Sequence, residues 1–182
     1  KAKYLFLSFF LLSNIVFAQI PLYKQAYAPL EARVQDLLQR MTLEEKAGQV
    51  LCPMGWQMYS KDKDEVVLSS LFKQKMDSPM PIGAFWAVLR ADPWTQKNMQ
   101  TGLNPELSAK LLNKMQKYAV EKTRLGIPIL FAEECPHGHM AIGTSVFPTG
   151  LAMASTWNED LLSQAGEVIA LEARLQGANI AY

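Results

Sequence analysis

The chain has 182 residues, 49% of them hydrophobic and 19% charged, with a net charge of +1. This balance excludes a disordered or low-complexity chain and offers no basic surface for nucleic acid or for an anionic membrane. The length suits one modest domain or part of a larger one.

Residues 1–18 read as a secretory signal peptide. Lys1 and Lys3 form a positive start, Tyr4 to Leu12 is densely apolar, and Ile15, Val16 and Phe17 extend the run. Val16, Phe17 and Ala18 then lead to a cleavage point ahead of Gln19. The competing reading is a membrane anchor, but the run is short for a span and is broken by Ser13 and Asn14. Residues 19–182 are the expected mature chain, exported to the periplasm or secreted, with no membrane attachment after cleavage. Its cysteines are Cys52 and Cys135. Export permits a disulfide without requiring one, and two buried free thiols are the favoured reading.

Along the mature chain, residues 29–40 are amphipathic, with Leu30, Val34, Leu37, Leu38 and Met41 on one face at helical spacing. Thr42 and Glu45 have the spacing of a capping box and start a second short helix toward Val50. Residues 53–80 are mixed, with Lys61 to Glu65 a solvated charged stretch. Gly83 to Leu89 reads as a buried strand ending at Arg90. Asn104 followed by Pro105 opens a helix carrying Leu107, Leu111, Leu112, Met115 and Tyr118, which stops near Gly126. Ile127 to Ala132 is apolar on both faces, as buried parallel strands are. After a long loop, Asn158 caps another helix, Glu159 and Asp160 sit at its positive end, and Gly177 closes it. Ala178 to Tyr182 begins a further strand. Strands alternating with helices predict parallel βαβ units and an α/β fold class. A last strand left unpaired at a sheet edge predicts that these residues are the front part of a larger barrel.

The chemistry concentrates after the 127–132 strand. Glu133 and Glu134 stand at its C-terminal end, where open α/β sheets and α/β barrels bind ligands, and His137, Gly138 and His139 follow. Two acids at the mouth of a buried strand are costly unless paired or used. Arg90 ends a strand at the same mouth, where it either pairs with a glutamate or lines the site. Glu133, Glu134, His137 and His139 make a poor zinc set without a third histidine, so no metal is expected. Among Trp56, Trp86, Trp94 and Trp157, the last residue before the helix cap and the one inside the strand read as core packing. Trp94, in a polar segment, is the better exposed platform for a sugar face.

Three stretches resemble glycoside hydrolase family 3, the family of secreted β-glucosidases and β-xylosidases. They are Glu31 to Lys46 with Gly48 and Gln49; Arg124 to Glu134 running into His137 and Gly138; and Thr144 to Pro148 with Ala154 to Asn158 and Glu172 to Arg174. The resemblance implies a (β/α)8 barrel, of which residues 19–182 would be roughly the first half. It also implies a retaining mechanism on a terminal β-linked sugar, glucose first and xylose second, drawn from an oligosaccharide or aryl β-glycoside. Two carboxyl groups about 5–5.5 Å apart do that work without a cofactor. In the family the nucleophilic Asp lies in a Ser/Thr-Asp-Trp stretch downstream, as do the acid/base and a Lys-His pair. None falls within residues 1–182, so no catalytic residue is expected here and the segment alone should be inactive.

What carries over is a sugar contact at Glu134, where many members place an Asp. Glu133, His137, Arg90 and Trp94 are the weaker substrate-binding candidates. Several relatives carry an Arg slightly later, whereas His139 and Met140 stand in this region. For Glu134 the bland alternative is a salt bridge to Arg124 or to an arginine of the barrel outside residues 1–182. For His137 and His139 it is orientation of the loop. The competing whole-protein readings are a non-catalytic sugar-binding or scaffold protein derived from the same barrel, and an unrelated secreted α/β protein with structural acids.

Overall fold

The computed structural model describes residues 20–182. The expected signal peptide lies outside these residues. The described chain divides into two compact units, the first ending at Arg40 and the second starting at Met41. The first holds a 3-10 turn, Leu22–Lys24, and helix α1, Leu30–Arg40. Asp36 ties it together: it accepts from the Tyr23 amide at 3.0 Å and from Arg40 at 2.9 and 3.0 Å. Arg40 thereby holds the Asp36 carboxyl below the usual carboxylate range.

In the second unit, helix α2 (Leu43–Gln49) starts at the expected capping box. Thr42 Oγ1 accepts the Glu45 amide at 3.2 Å, and Glu45 Oε2 accepts the Thr42 amide at 2.9 Å. Strands β1 (Tyr59–Asp62) and β2 (Glu65–Leu68) follow as an antiparallel hairpin. The charged stretch expected to be merely solvated is therefore the tip of this hairpin. Lys63 turns it at φ 53°, the left-handed conformation that tight hairpin turns require. Helix α3 (Ser70–Met76) is capped by Ser69. Strand β3 (Ala84–Trp86), helix α4 (Pro105–Lys122), strand β4 (Leu130–Glu133), helix α5 (Gly150–Ala154), helix α6 (Glu159–Gln176) and strand β5 (Ile180–Ala181) complete the order.

Strands β3, β4 and β5 form a parallel sheet in that order. The helices between them make it an α/β fold of βαβ units, as the alternating pattern predicts. Two strands are shorter than or shifted from expectation. The β3 strand stops at Trp86 because Ala87 turns to φ 57°. The β4 strand starts at Leu130 because Gly126 sits at φ 65° and Pro128 has no amide to donate. It runs on to include Glu133.

The core lies between this sheet, α4 and the hairpin. Phe85 and Phe131 face α4 residues Leu111 and Met115, while Met58, Tyr59 and Val66 of the hairpin segment close over them. Each such side chain contributes about 1.5–3 kcal/mol by leaving water. Lys114 Nζ caps the Val66 carbonyl at 2.6 Å, pinning α4 to β2. Trp157, expected in the core, is 94% exposed. It follows the short helix α5, where the sequence pattern predicts loop, and sits at φ 52° outside any packed face. Both cysteines are free, but Cys52 is exposed and Cys135 half-buried, so the expected burial of both does not hold.

Candidate functional site

The parallel register decides which side chains meet. Trp86 pairs with Ala132 across β3 and β4. Side chains alternate along a strand, so Trp86, Ala132 and Glu134 share one face, while Glu133 falls on the other with Phe85 and Phe131. The two adjacent acids therefore enter different environments.

Glu134 is half-buried at the strand end, and its Oε1 accepts the indole N–H of Trp86 at 2.8 Å. Its other carboxylate oxygen accepts nothing from another described residue. The salt bridge to Arg124 does not form. Arg124 binds Glu45 through two guanidinium nitrogens, one of them at 2.9 Å. Trp86, expected in the core, is instead half-exposed and part of the site.

Around Trp86 the structure gathers an aromatic group. Trp94 lies 5.8 Å from Trp86 and 4.8 Å from Trp56, and Trp56 stands edge-on to Trp86 at 6.1 Å. Arg90 covers it, with its guanidinium 4.9 Å from the Trp94 ring and 5.9 Å from the Trp86 ring. The pairing of Arg90 with a glutamate is corrected: its partner is Asp92, at 2.6 Å, two residues on in the same loop. Asp92 remains below the ordinary carboxylate range although burial opposes this, because the Thr95 amide and Arg90 donate to it. Trp94 is 54% exposed, consistent with a platform, whereas Trp56 beneath it is buried. Both line a cleft of ≈ 500 Å³ with Gln57, Gln96, Lys97 and Thr101.

Glu133 is 0% exposed, on the far face of β4, and accepts the Leu89 amide at 3.1 Å. His139 is buried with it, Nε2 standing 3.8 Å from Glu133 Oε2. Burial and the Glu133 charge together push the Tyr59 hydroxyl well above its ordinary range. His137 is half-buried, and its carbonyl accepts the Phe147 amide at 2.8 Å, which closes the loop after β4. Between the histidines, Gly138 sits at φ 105°, with room for no Cβ: one would stand 2.1 Å from the Ser145 carbonyl oxygen. Cys135, beside the acids, has its thiol pushed up to about 11 by burial and by the Glu133 and Glu134 charges.

The structure thus brings Glu134, Arg90 and Trp94 together and leaves Glu133 and His139 behind the wall they form. The sequence reading missed Trp86 and Asp92. The Asp92 to Thr95 spacing of a side-chain-capped turn was visible; the Trp86 contact depends on register, which local pattern does not carry. A carboxylate and a guanidinium gathered about the Trp86 and Trp94 rings make a surface suited to a polyhydroxylated ring. Charged acceptors take hydroxyl donors, and the aromatic face takes axial C–H groups.

Residues 42–182 match the model of the glycosyl hydrolase family 3 N-terminal domain. A protein of Formosa agariphila provisionally named a beta-xylosidase is 30% identical over 88% of this chain and 20% of its own length. A periplasmic beta-glucosidase of Salmonella typhimurium is 30% identical over 94% of this chain and 18% of its own. Among solved structures, a β-glucosidase from Erythrobacter marinus superposes with a TM-score of 0.66 at 28% identity, covering 88% of this chain and 19% of its own. The chain spans about a fifth of the length of these relatives. With the family model covering most of its residues, and the acids standing at the C-terminal end of a parallel sheet, this chain belongs to glycosyl hydrolase family 3.

Proposed function

We propose that the protein to which this chain belongs is an exported, retaining exo-β-glycosidase, with Glu134 binding a hydroxyl of the sugar that is released. The observation that carries this reading is the half-buried Glu134 carboxylate at the end of β4. One oxygen is fixed by Trp86 at 2.8 Å, and the other accepts no hydrogen bond from the described residues. A carboxylate held by one oxygen is oriented before the ligand arrives, so its bond to a hydroxyl costs little ordering. Arg90 and Trp94 extend the same surface. The relatives named beta-glucosidase and beta-xylosidase support a β-linked glucose or xylose as the released sugar. The substrate is then an oligosaccharide or aryl β-glycoside.

Catalysis follows the two-carboxylate route, with the nucleophile and acid/base supplied from beyond residue 182, as the family resemblance implies. No cofactor enters, and this segment alone is inactive. Export rests on residues 1–18, read as a signal peptide ahead of a barrel portion at 19–182, and a relative named periplasmic supports it. Amino-terminal sequencing of the protein from an expressing host should begin at Gln19.

The deciding experiment is kinetic. The full-length protein should hydrolyse 4-nitrophenyl β-glucoside or β-xyloside. In it, Glu134→Ala should lower kcat/KM about ten- to hundredfold, the worth of one charged hydrogen bond. The melting temperature should change little, because the carboxylate is only half-buried. An unchanged kcat/KM removes Glu134 from the site, and turnover by the purified segment would place catalytic acids within it.

A further inference from the structure

We propose that Glu133 is a positioning residue: its buried carboxylate clamps the loop after β3 to the end of β4, and so sets where Trp86 and Arg90 stand relative to Glu134. The loop in question leaves the sheet under strain. Ala87 and Gln96, neither of them glycine, both sit at φ 57° and bracket Arg90 and Trp94. Such conformations are costly for residues other than glycine and persist only where the surroundings over-determine them.

Three amides supply that constraint in turn. The Ala87 amide donates to the Ala132 carbonyl at 2.7 Å, the Leu89 amide to Glu133 Oε1 at 3.1 Å, and the Ala91 amide to the Met140 carbonyl at 2.9 Å. Leu89 is the one whose acceptor is a side chain, and it directly precedes Arg90. The other wall closes on the same carboxylate. The Met140 amide donates to the Glu134 carbonyl at 2.9 Å, and the His139 ring stands 3.8 Å from Glu133 Oε2.

Stability does not account for a glutamate at this position. Its carboxylate is fully buried and has one hydrogen bond from the described residues, to Oε1. Oε2, both His139 nitrogens and the Tyr59 hydroxyl are buried without a hydrogen-bond partner among those residues. Replacing a buried, thinly satisfied carboxyl by an apolar side chain of similar volume is often neutral or stabilising. What an apolar side chain could not do is accept the Leu89 amide. The acceptor, rather than the charge or the volume, is therefore the reason for the residue.

The effect on sugar binding rests on the proposed reading of Glu134; the clamp itself does not, and one experiment separates them. In the full-length protein, Glu133→Met removes the acceptor but keeps length and apolar packing. Glu133→Gln keeps the acceptor and removes the charge. Glu133→Asp keeps the charge but withdraws the acceptor by one methylene. Melting temperature, the near-ultraviolet circular dichroism of the Trp56, Trp86 and Trp94 group, and KM and kcat on an aryl β-glucoside are measured for each.

The clamp predicts that the Met variant loses the coupled tryptophan signal and raises KM about tenfold. Gln restores both to near wild type, and Asp behaves as Met does. Wild-type dichroism and KM in the Met variant would overturn the proposal, making Glu133 core filling. Equal loss of dichroism in Met and Gln would overturn it too, since the charge would then be what matters. If the Met variant does not fold, the Asp variant decides: native dichroism and KM there remove the clamp. If wild-type protein turns over no glycoside, the sugar reading fails, and the dichroism of the three variants still decides the clamp.

Discussion

At the site, the bond from the Trp86 indole to Glu134 links the β3 and β4 ends through one proton. Replacing Trp86 with Phe keeps an aromatic ring beside Trp56 and Trp94 but removes the N–H. Bonds to charged groups are worth about 1.5–3 kcal/mol when fully desolvated, and Glu134 is only half-buried, so a KM increase of about three- to tenfold is expected on an aryl β-glycoside. Fluorescence titration with glucose would report the same loss directly. Glu134, Arg90 and Trp94 were legible from sequence because each sits where a local pattern breaks: an acid after an apolar run, a cation at a strand end, an aromatic in a polar turn. The family resemblance separates Glu134, as the sugar contact, from a more structural Glu133, but local pattern does not, because a run apolar on both faces hides which side is the core. Only pairing with β3 assigns the parity that buries one and opens the other.

Among the elements, the helices were the most readable, since caps and periodicity are local. Asn104 accepts the Leu107 amide at 2.9 Å, and Leu107, Leu111, Leu112 and Met115 are buried as their spacing predicts. Asn104→Ala should lower stability by about 1 kcal/mol in a denaturant titration, the usual worth of such a cap. The β1–β2 hairpin escaped notice because charged residues at its tip mask two short strands, with only Tyr59 and Val66 of their residues buried. The loop after β4 makes a sharper prediction. At Gly138 both the left-handed backbone and the Ser145 carbonyl exclude a side chain, so Gly138→Ala must shift residues 137–145. A loss of about 1–3 kcal/mol is expected from the backbone alone, seen as a lowered melting temperature. Kinetics on the full-length protein should show reduced kcat/KM as well, because the same loop carries Glu134.

For the second unit as a whole, the Glu45–Arg124 pair joins the start of α2 to the residues that lead into β4. Arg124 holds the Glu45 carboxyl below its ordinary value of 4.5. A carboxyl depressed by folding adds stability above its unfolded value and loses it as pH falls through the folded one. Acid melting should therefore steepen below about pH 4.5, and Arg124→Gln should flatten that limb while costing about 1–2 kcal/mol at neutral pH, after allowance for the exposed guanidinium. An acid limb identical in the variant would count against the pair. The two carboxylates that precede Cys135 have a different outcome, in covalent reactivity. A thiol pushed up to about 11 carries almost no thiolate at neutral pH, and thiolate is the form that alkylates and oxidises. Cys52, exposed and shifted up by burial alone, is the faster nucleophile. Iodoacetamide at pH 8 should label Cys52 first, leaving one addressable thiol for a probe, while the acids of the site keep its neighbour chemically silent.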